Sequence, residues 1–454
     1  MRIVVIGGVA AGMSAASQAK RRAPSADVVV FERGGWISYA SCGIPYNLID
    51  PARTLDDLVV LQAEEARKDR GIDVRVRHEV LAIRPDRKVV EVRDLDQCAV
   101  REEPYDRLIV ATGAAPVRPP LPGIDLPGVF VLRTLPEGAV LKRHLAESGP
   151  REAAILGGGY IGMEMAEALR RRGLAVTILE RAEQILAGYH DEIARTALEE
   201  LRRNEVRVQT GVSVAGIAQG TTPRLLVVQT DQGAVAADLV LVATGIRPDV
   251  ALARAAGLKL GPSGAIAVDD RQRTNVPHVF AAGDCAEATH RVSGLPVWVP
   301  LGTTANKQGK IAGANAAGAD ERFAGIVGSA AFKLFDIEVG RTGLGMREVR
   351  ELGLDAVASV SRHRTRGHSY PGSRTIRTVL FVERETGRLL GAQMAGGDAV
   401  AKRIDVFAAA LQADMTVSEV EQLDLTYAPP FAPVYDPILI AAGVAMKDLA
   451  ARKP

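Results

Sequence analysis

One local pattern occurs twice in the chain: an apolar strand, a glycine turn, an Ala-rich helix, and a β-branched strand that ends in glutamate. The first copy runs from Ile3 to Glu32 and the second from Ala153 to Glu180. A βαβ unit of this kind places a helix N-terminus, with its free N–H groups and positive dipole end, where a pyrophosphate sits. Two copies therefore predict two dinucleotides. In the second copy Gly157, Gly159 and Gly162 complete GxGxxG, giving a tight turn, close approach of backbone to phosphate and close helix packing. In the first, Gly7 and Gly12 remain, but Val9 takes the middle place. Either glycine run alone also suits a purely structural strand-to-helix turn. The acid at a spacing of about 20 residues, Glu32 or Glu180, makes the pair far more specific.

The rest of the chain is arranged around these units. At 454 residues it is about three domains long by a prior of about 150 residues each. Strands over Leu108–Gly113 and Leu239–Gly245 close in matching Ala-Thr-Gly turns, and a further strand, Thr274–Asp284, leads to an Ala-rich helix after Pro300. The order is nucleotide unit, insertion, second nucleotide unit and return to the first. Prolines in Val117–Gly123 mark an extended linker. Beyond Phe323 a strand over Thr375–Val382 and a helix over Val400–Ala413 indicate an α+β terminal domain. The expected fold is α/β, with two Rossmann-like domains and a C-terminal α+β domain. The expected spans are 1–113, 114–245, 246–322 and 323–454.

Charge and composition exclude some functions. Lys plus Arg number 56 against 54 acids, a net of +2, which argues against a nucleic-acid partner. Aromatic residues make up only 4% while glycines number 45, an α/β balance. The N-terminus runs directly into a buried strand, and no window has the roughly 18 apolar residues of a membrane span. A soluble, cytoplasmic protein without membrane contact is expected. The three cysteines, Cys42, Cys98 and Cys285, form neither a disulfide framework nor a CxxC pair, and the histidines show no paired metal-ligand spacing.

Along essentially its full length the chain resembles the two-dinucleotide-binding-domain flavoprotein disulfide reductases. The segment Ser38-Tyr39-Ala40-Ser41-Cys42-Gly43-Ile44-Pro45-Tyr46 is similar to the single-cysteine branch, which contains coenzyme A-disulfide reductases, NADH oxidases, NADH peroxidases and persulfide reductases. The resemblance implies that Gly7, Gly12, Glu32, Thr112 and Asp284 bind FAD, with Glu32 on the ribose and Asp284 on the ribitol chain. It implies that Gly157, Gly159, Gly162 and Glu180 bind NADH or NADPH, with Tyr160 as a gate over the flavin. It also implies a homodimer whose C-terminal domains complete the partner's active site. A related family carries a C-terminal rhodanese domain; this chain ends at Pro454 without one, so a separate sulfur donor is expected.

The residues suit that chemistry. Cys42 precedes Gly43 and a Pro45 placed to open a helix, a setting that favours a thiolate; the alternative is a buried cysteine acting as a small hydrophobe. Cys98 and Cys285 are expected to be structural. With one redox cysteine, the oxidised form is a mixed disulfide, a persulfide or a sulfenic acid. In the implied cycle NAD(P)H reduces FAD, and the flavin delivers electrons to a sulfur-sulfur bond involving Cys42. Oxidase and peroxidase relatives carry a histidine in the first glycine turn, where this chain has Ala10, and none occurs before His78. Thr426-Tyr427-Ala428-Pro429-Pro430-Phe431 resembles the YAPP segment of coenzyme A-disulfide reductases. Tyr427, with Tyr370, is the candidate acid for the leaving thiolate; the alternative for both is interface packing.

Coenzyme A carries phosphates and needs cations. Gln18, Arg21 and Arg22 resemble positions that touch it; Ser38 and Arg70 are further candidates, and the cluster from His363 to His368 another, a solvated charged face being the alternative. Glu180 accepts from a ribose 2′-hydroxyl and repels a 2′-phosphate, favouring NADH, while Arg181 leaves NADPH open. The expected activity is reduction of coenzyme A disulfide, persulfide or polysulfide, with a coenzyme A adduct on Cys42 as one resting form. A bacillithiol-like thiol and a metal-linked substrate are other acceptors. An NADH oxidase or peroxidase cycling through a sulfenic acid is the runner-up, and a slowly turning flavin-bound redox sensor is the alternative from another class.

Overall fold

The computed structural model describes residues 1–451. The first glycine unit opens a five-stranded parallel sheet in the order Val279–Ala281, Arg107–Val110, Arg2–Ile6, Asp27–Glu32, Asp73–Val76. Ile3, Val4 and Val5 are fully buried, as a continuous apolar run in a parallel strand requires. The helices Ala10–Arg22 and Gly302–Ala316 cover one face of the sheet. They cross with backbones touching, since a Cβ on Gly309 or Gly313 would lie 2.3 or 2.1 Å from the carbonyl oxygen of Ala11 or Ala15. A three-stranded antiparallel layer, His78–Arg84, Val89–Asp94 and Val100–Pro104, covers the other face.

The second unit repeats this plan. Its parallel sheet runs Arg207–Gln209, Ala175–Leu179, Glu152–Leu156, Leu239–Val242, Val129–Phe130. Its antiparallel layer is Val214–Gln219, Leu226–Thr230 and Gly233–Ala237. Strand Val279–Ala281 lies beyond the second unit in sequence yet pairs with Arg107–Val110 of the first sheet. Ala114–Pro116 pairs antiparallel with Ile246–Pro248, so part of each crossing between the two sheets is tied to the other.

One strand is shorter than its sequence suggests. Thr274–Asp284 reduces to Val279–Ala281, because His278 takes a left-handed φ of 70° and the Thr274 N–H bonds to the Val279 carbonyl at 3.0 Å, folding the preceding residues into a turn. The C-terminal region is a five-stranded antiparallel sheet ordered Ala330–Leu334, Ile337–Gly343, Leu389–Gly396, Thr375–Glu383, Ala356–Arg364. Helices Val400–Gln412 and Pro437–Ala451 accompany it, with Phe381 and Phe407 fully buried in its core. The last three positions of the expected 323–454 span lie outside the described residues. No described helix is long and apolar enough to cross a membrane.

Candidate active site

The two glycine turns have the same construction. Gly7 and Gly157 take φ of 99° and 110°, and a Cβ on either would lie 2.2 or 2.4 Å from the carbonyl oxygen of Ala111 or Ala243. A Cβ on Gly12 or Gly162 would lie 1.8 or 2.2 Å from the carbonyl of Gly7 or Gly157, so the helix starts against its own turn. The two acids are held alike. Glu32 accepts from the Gly8 and Gly34 N–H groups, both at 2.7 Å; Glu180 accepts from Gly158 at 2.6 Å and Ala182 at 2.7 Å. Each carboxylate oxygen therefore carries one backbone bond and keeps acceptor capacity for a ribose hydroxyl. Gly8 and Gly158, the donors, were missed in the sequence; the doubled glycine of each turn is the signal that marks them.

At the middle position the turns differ. No atom lies within 4 Å of where a Gly159 Cβ would sit, whereas the first turn carries the Val9 side chain there. The second turn is an open cradle that fits a pyrophosphate against bare backbone. Thr112 donates to the Asp249 carbonyl at 2.6 Å. Asp284 is ion-paired with Arg133, and its carbonyl accepts from the Trp298 indole at 2.8 Å. A polar partner is thus ready for a ribitol hydroxyl, and the first unit fits FAD as the second fits a nicotinamide dinucleotide. Arg133, distant in sequence and without a motif, had no signal.

Cys42 is exposed in a short turn of helix, Ser41–Gly43, that runs into helix Ile44–Ile49, with Pro45 in its first turn. Its exposure removes the alternative of a buried small hydrophobe. Cys285 is that kind of residue: fully buried, its thiol pushed up by burial and donating to the Val110 carbonyl at 3.4 Å. Cys98 is exposed at a turn with φ of 55°. Ser38 also takes a left-handed φ, 44°, while its N–H bonds to the Gly8 carbonyl at 2.9 Å, locking the thiol segment to the first glycine turn.

The thiol segment is tied to the second glycine helix as well. Tyr46, one turn beyond Cys42, donates to Glu164 at 2.8 Å, and Glu164 lies one turn beyond Tyr160. Burial, with a smaller push from the Glu167 charge, raises the Glu164 carboxyl to about 7 against the lowering effect of the Tyr46 bond. Glu167 is better provided: Arg171 and Lys333 pair with it at 2.7 Å, and the Phe335 N–H donates to it at 2.7 Å. The Tyr46–Glu164 contact joins residues 118 apart and had no sequence signal.

The remaining candidates are spread over two regions. Gln18, Arg21 and Arg22 sit in the last turns of helix Ala10–Arg22; Arg21 bonds its own helix through the Ser17 carbonyl, and Arg22 pairs with Glu321. Arg70 is exposed at the end of helix Ala63–Arg70. In the C-terminal domain the Arg366 guanidinium lies 6.0 Å from the centroid of Tyr370. A Cβ on Gly367 would be 3.9 Å from Pro429, which brings the His363–His368 cluster, at the end of strand Ala356–Arg364 and the loop after it, beside the segment of Tyr427. Tyr427 is 50% exposed and Phe431 76%.

Comparison with known proteins fits this geometry. The pyridine nucleotide-disulphide oxidoreductase family model matches residues 1–317, and the dimerisation-domain model of that family matches 329–437. The NAD(P)H coenzyme A polysulfide/persulfide reductase of Pyrococcus horikoshii is 40% identical over 98% of this chain and 98% of its own. A NADH oxidase of Methanocaldococcus jannaschii is 33% identical over 99% of each chain. The crystal structure of a NAD-dependent persulfide reductase from A. fulgidus superimposes with a TM-score of 0.95 at 37% identity, covering 99% of this chain and 84% of that one.

Proposed function

The chain belongs to the pyridine nucleotide-disulphide oxidoreductase family, whose members use FAD and NAD(P)H, and from that membership we propose that it reduces coenzyme A disulfide, persulfide or polysulfide through the single thiol of Cys42. The observation that carries the reading is the exposed Cys42, bound through Ser38 to the first glycine turn and through Tyr46 to the second glycine helix. Gly7, Gly12, Glu32, Thr112 and Asp284 would hold FAD, and Gly157, Gly159, Gly162 and Glu180 the nicotinamide cofactor, with Tyr160 as its gate. Bound FAD supplies two-electron transfer between nicotinamide and sulfur.

The protein's part is sulfur chemistry and proton placement. The Cys42 thiolate attacks one sulfur of the coenzyme A disulfide, forming a mixed disulfide and releasing one coenzyme A thiolate. Two electrons from NAD(P)H then break the Cys42–S bond, returning the Cys42 thiolate and a second coenzyme A thiolate. Tyr427, exposed on its loop, and Tyr370 are the candidates to protonate a leaving thiolate across a dimer interface; Gln18, Arg21, Arg22, Ser38 and Arg70 are the candidates for coenzyme A. The matched dimerisation domain supports a homodimer, and we read the protein as cytoplasmic. The NADH oxidase relative supports a second reading, a sulfenic acid cycle at Cys42, against which stands Ala10 in the first glycine turn.

NADH turnover in the FAD-loaded enzyme distinguishes these readings. Stoichiometric thiol release from coenzyme A disulfide under anaerobic conditions is expected, with slow oxygen consumption when that substrate is withheld. Fast oxygen consumption without thiol release would replace the reductase reading with the oxidase one.

A further inference from the structure

Tyr160 begins the second glycine helix, yet the groups that fix its ring come from elsewhere. Its hydroxyl shares a 2.9 Å hydrogen bond with that of Tyr189. The ring stands edge-on to Tyr189 at 6.0 Å and to Phe332 at 5.3 Å. Tyr189 is itself buried, and the Arg341 guanidinium lies 5.8 Å from its centroid. Phe332 and Arg341 belong to the C-terminal antiparallel sheet.

That sheet also grips the backbone on either side of Tyr189. Arg341 donates to the Gly188 carbonyl at 3.4 Å and is oriented by Glu348 at 3.3 Å. Gln393, on the next strand, accepts from the His190 N–H at 2.7 Å and donates to the Gly188 carbonyl at 3.2 Å. Burial raises both tyrosine hydroxyls above their ordinary range, so the bond between them persists through neutral pH. Tyr160 nevertheless keeps 37% of its surface exposed, so these contacts do not bury it.

We propose that Arg341 is a positioning residue for the nicotinamide step: by holding Tyr189, the C-terminal domain sets how readily Tyr160 yields to an incoming nicotinamide. The inference rests on the reading of Tyr160 as the gate. Moving the Tyr160 ring from its position breaks one hydroxyl bond and two edge contacts, all supplied from outside its own helix.

The test uses the FAD-loaded enzyme and separates its two half-reactions. Anaerobic rapid mixing with NADH reads flavin reduction; mixing the reduced enzyme with coenzyme A disulfide reads reoxidation. Arg341→Met and Tyr189→Phe are each expected to lower the NADH concentration for half-maximal flavin reduction by about 2- to 10-fold, with reoxidation unchanged. The double variant is expected to show no more than the larger single effect, because both act through one ring. Tyr189→Phe removes a single hydroxyl and keeps the test open if Arg341→Met folds poorly. An unchanged NADH dependence in Tyr189→Phe, or equal loss in both half-reactions, overturns the proposal. Tyr160→Ala isolates the underlying reading: no change there removes the gate and the latch together. A change there without one in Arg341→Met and Tyr189→Phe removes the latch alone.

Discussion

The two glycine units share a backbone and differ in what their helices face. Gly7, Gly12 and Glu32 have the same packing and hydrogen bonds as Gly157, Gly162 and Glu180. The helix positions that follow diverge: Ala10, Ser14 and Ser17 in the first unit stand where Tyr160, Glu164 and Glu167 stand in the second. The first helix packs tightly against Gly302–Ala316, with Ser14 bonded to Asn306 at 2.6 Å. The second turns an aromatic ring and two carboxylates toward the thiol segment and the C-terminal sheet. One scaffold thus serves close helix-to-helix packing in one place and a junction between three parts of the chain in the other. The small residues allow the close packing, and the large ionisable ones make the junction.

The comparison breaks most severely where the shared backbone is touched. Gly12→Val puts a side chain within the carbonyl of Gly7 and is expected to cost about 3 kcal/mol or more, with loss of bound flavin; a thermal melt and flavin absorbance check this. Glu164→Gln tests the junction. A carboxyl raised to about 7 binds its proton more tightly folded than unfolded, so its stabilisation is full below the ordinary carboxylate range and is lost as pH rises to about 7. The glutamine variant should therefore gain about 1–3 kcal/mol relative to the parent between pH 5 and pH 8, read from denaturant melts at both values. A flat difference would mean that Glu164 titrates normally.

Smaller effects sharpen the comparison at the nucleotide turns. Glu180→Ala is expected to shift the NADPH-to-NADH preference by about 10-fold toward NADPH, measured as the ratio of kcat/KM values. Glu32→Ala should leave that ratio alone and instead release flavin. Gly159→Val makes the second turn resemble the first. With open space around that position, stability should stay within about 0.5 kcal/mol while KM for NADH rises. An unchanged KM would mean that the open cradle is not where the nucleotide binds.

Much of this was legible in the sequence because it is local. The glycine turns, the two acids and the thiol segment are each encoded within a few dozen residues, and the expected strand Thr375–Val382 and helix Val400–Ala413 end within one residue of the observed Thr375–Glu383 and Val400–Gln412. What escaped was encoded at a distance. The antiparallel layers over Val80 and Ile217 are placed by packing onto their sheets, and Arg133–Asp284, Tyr46–Glu164 and Tyr189–Arg341 join residues more than 100 positions apart. Thr274–Asp284 looked like one long strand because a left-handed histidine is invisible in hydrophobicity alone.

The central claim is that Cys42 is the single point where electrons meet sulfur, and Cys42→Ser tests it directly. In the FAD-loaded variant, NADH should still reduce the flavin at the parent rate, while thiol release from coenzyme A disulfide falls by about 1,000-fold or more. Thiol release at the parent rate would contradict the account.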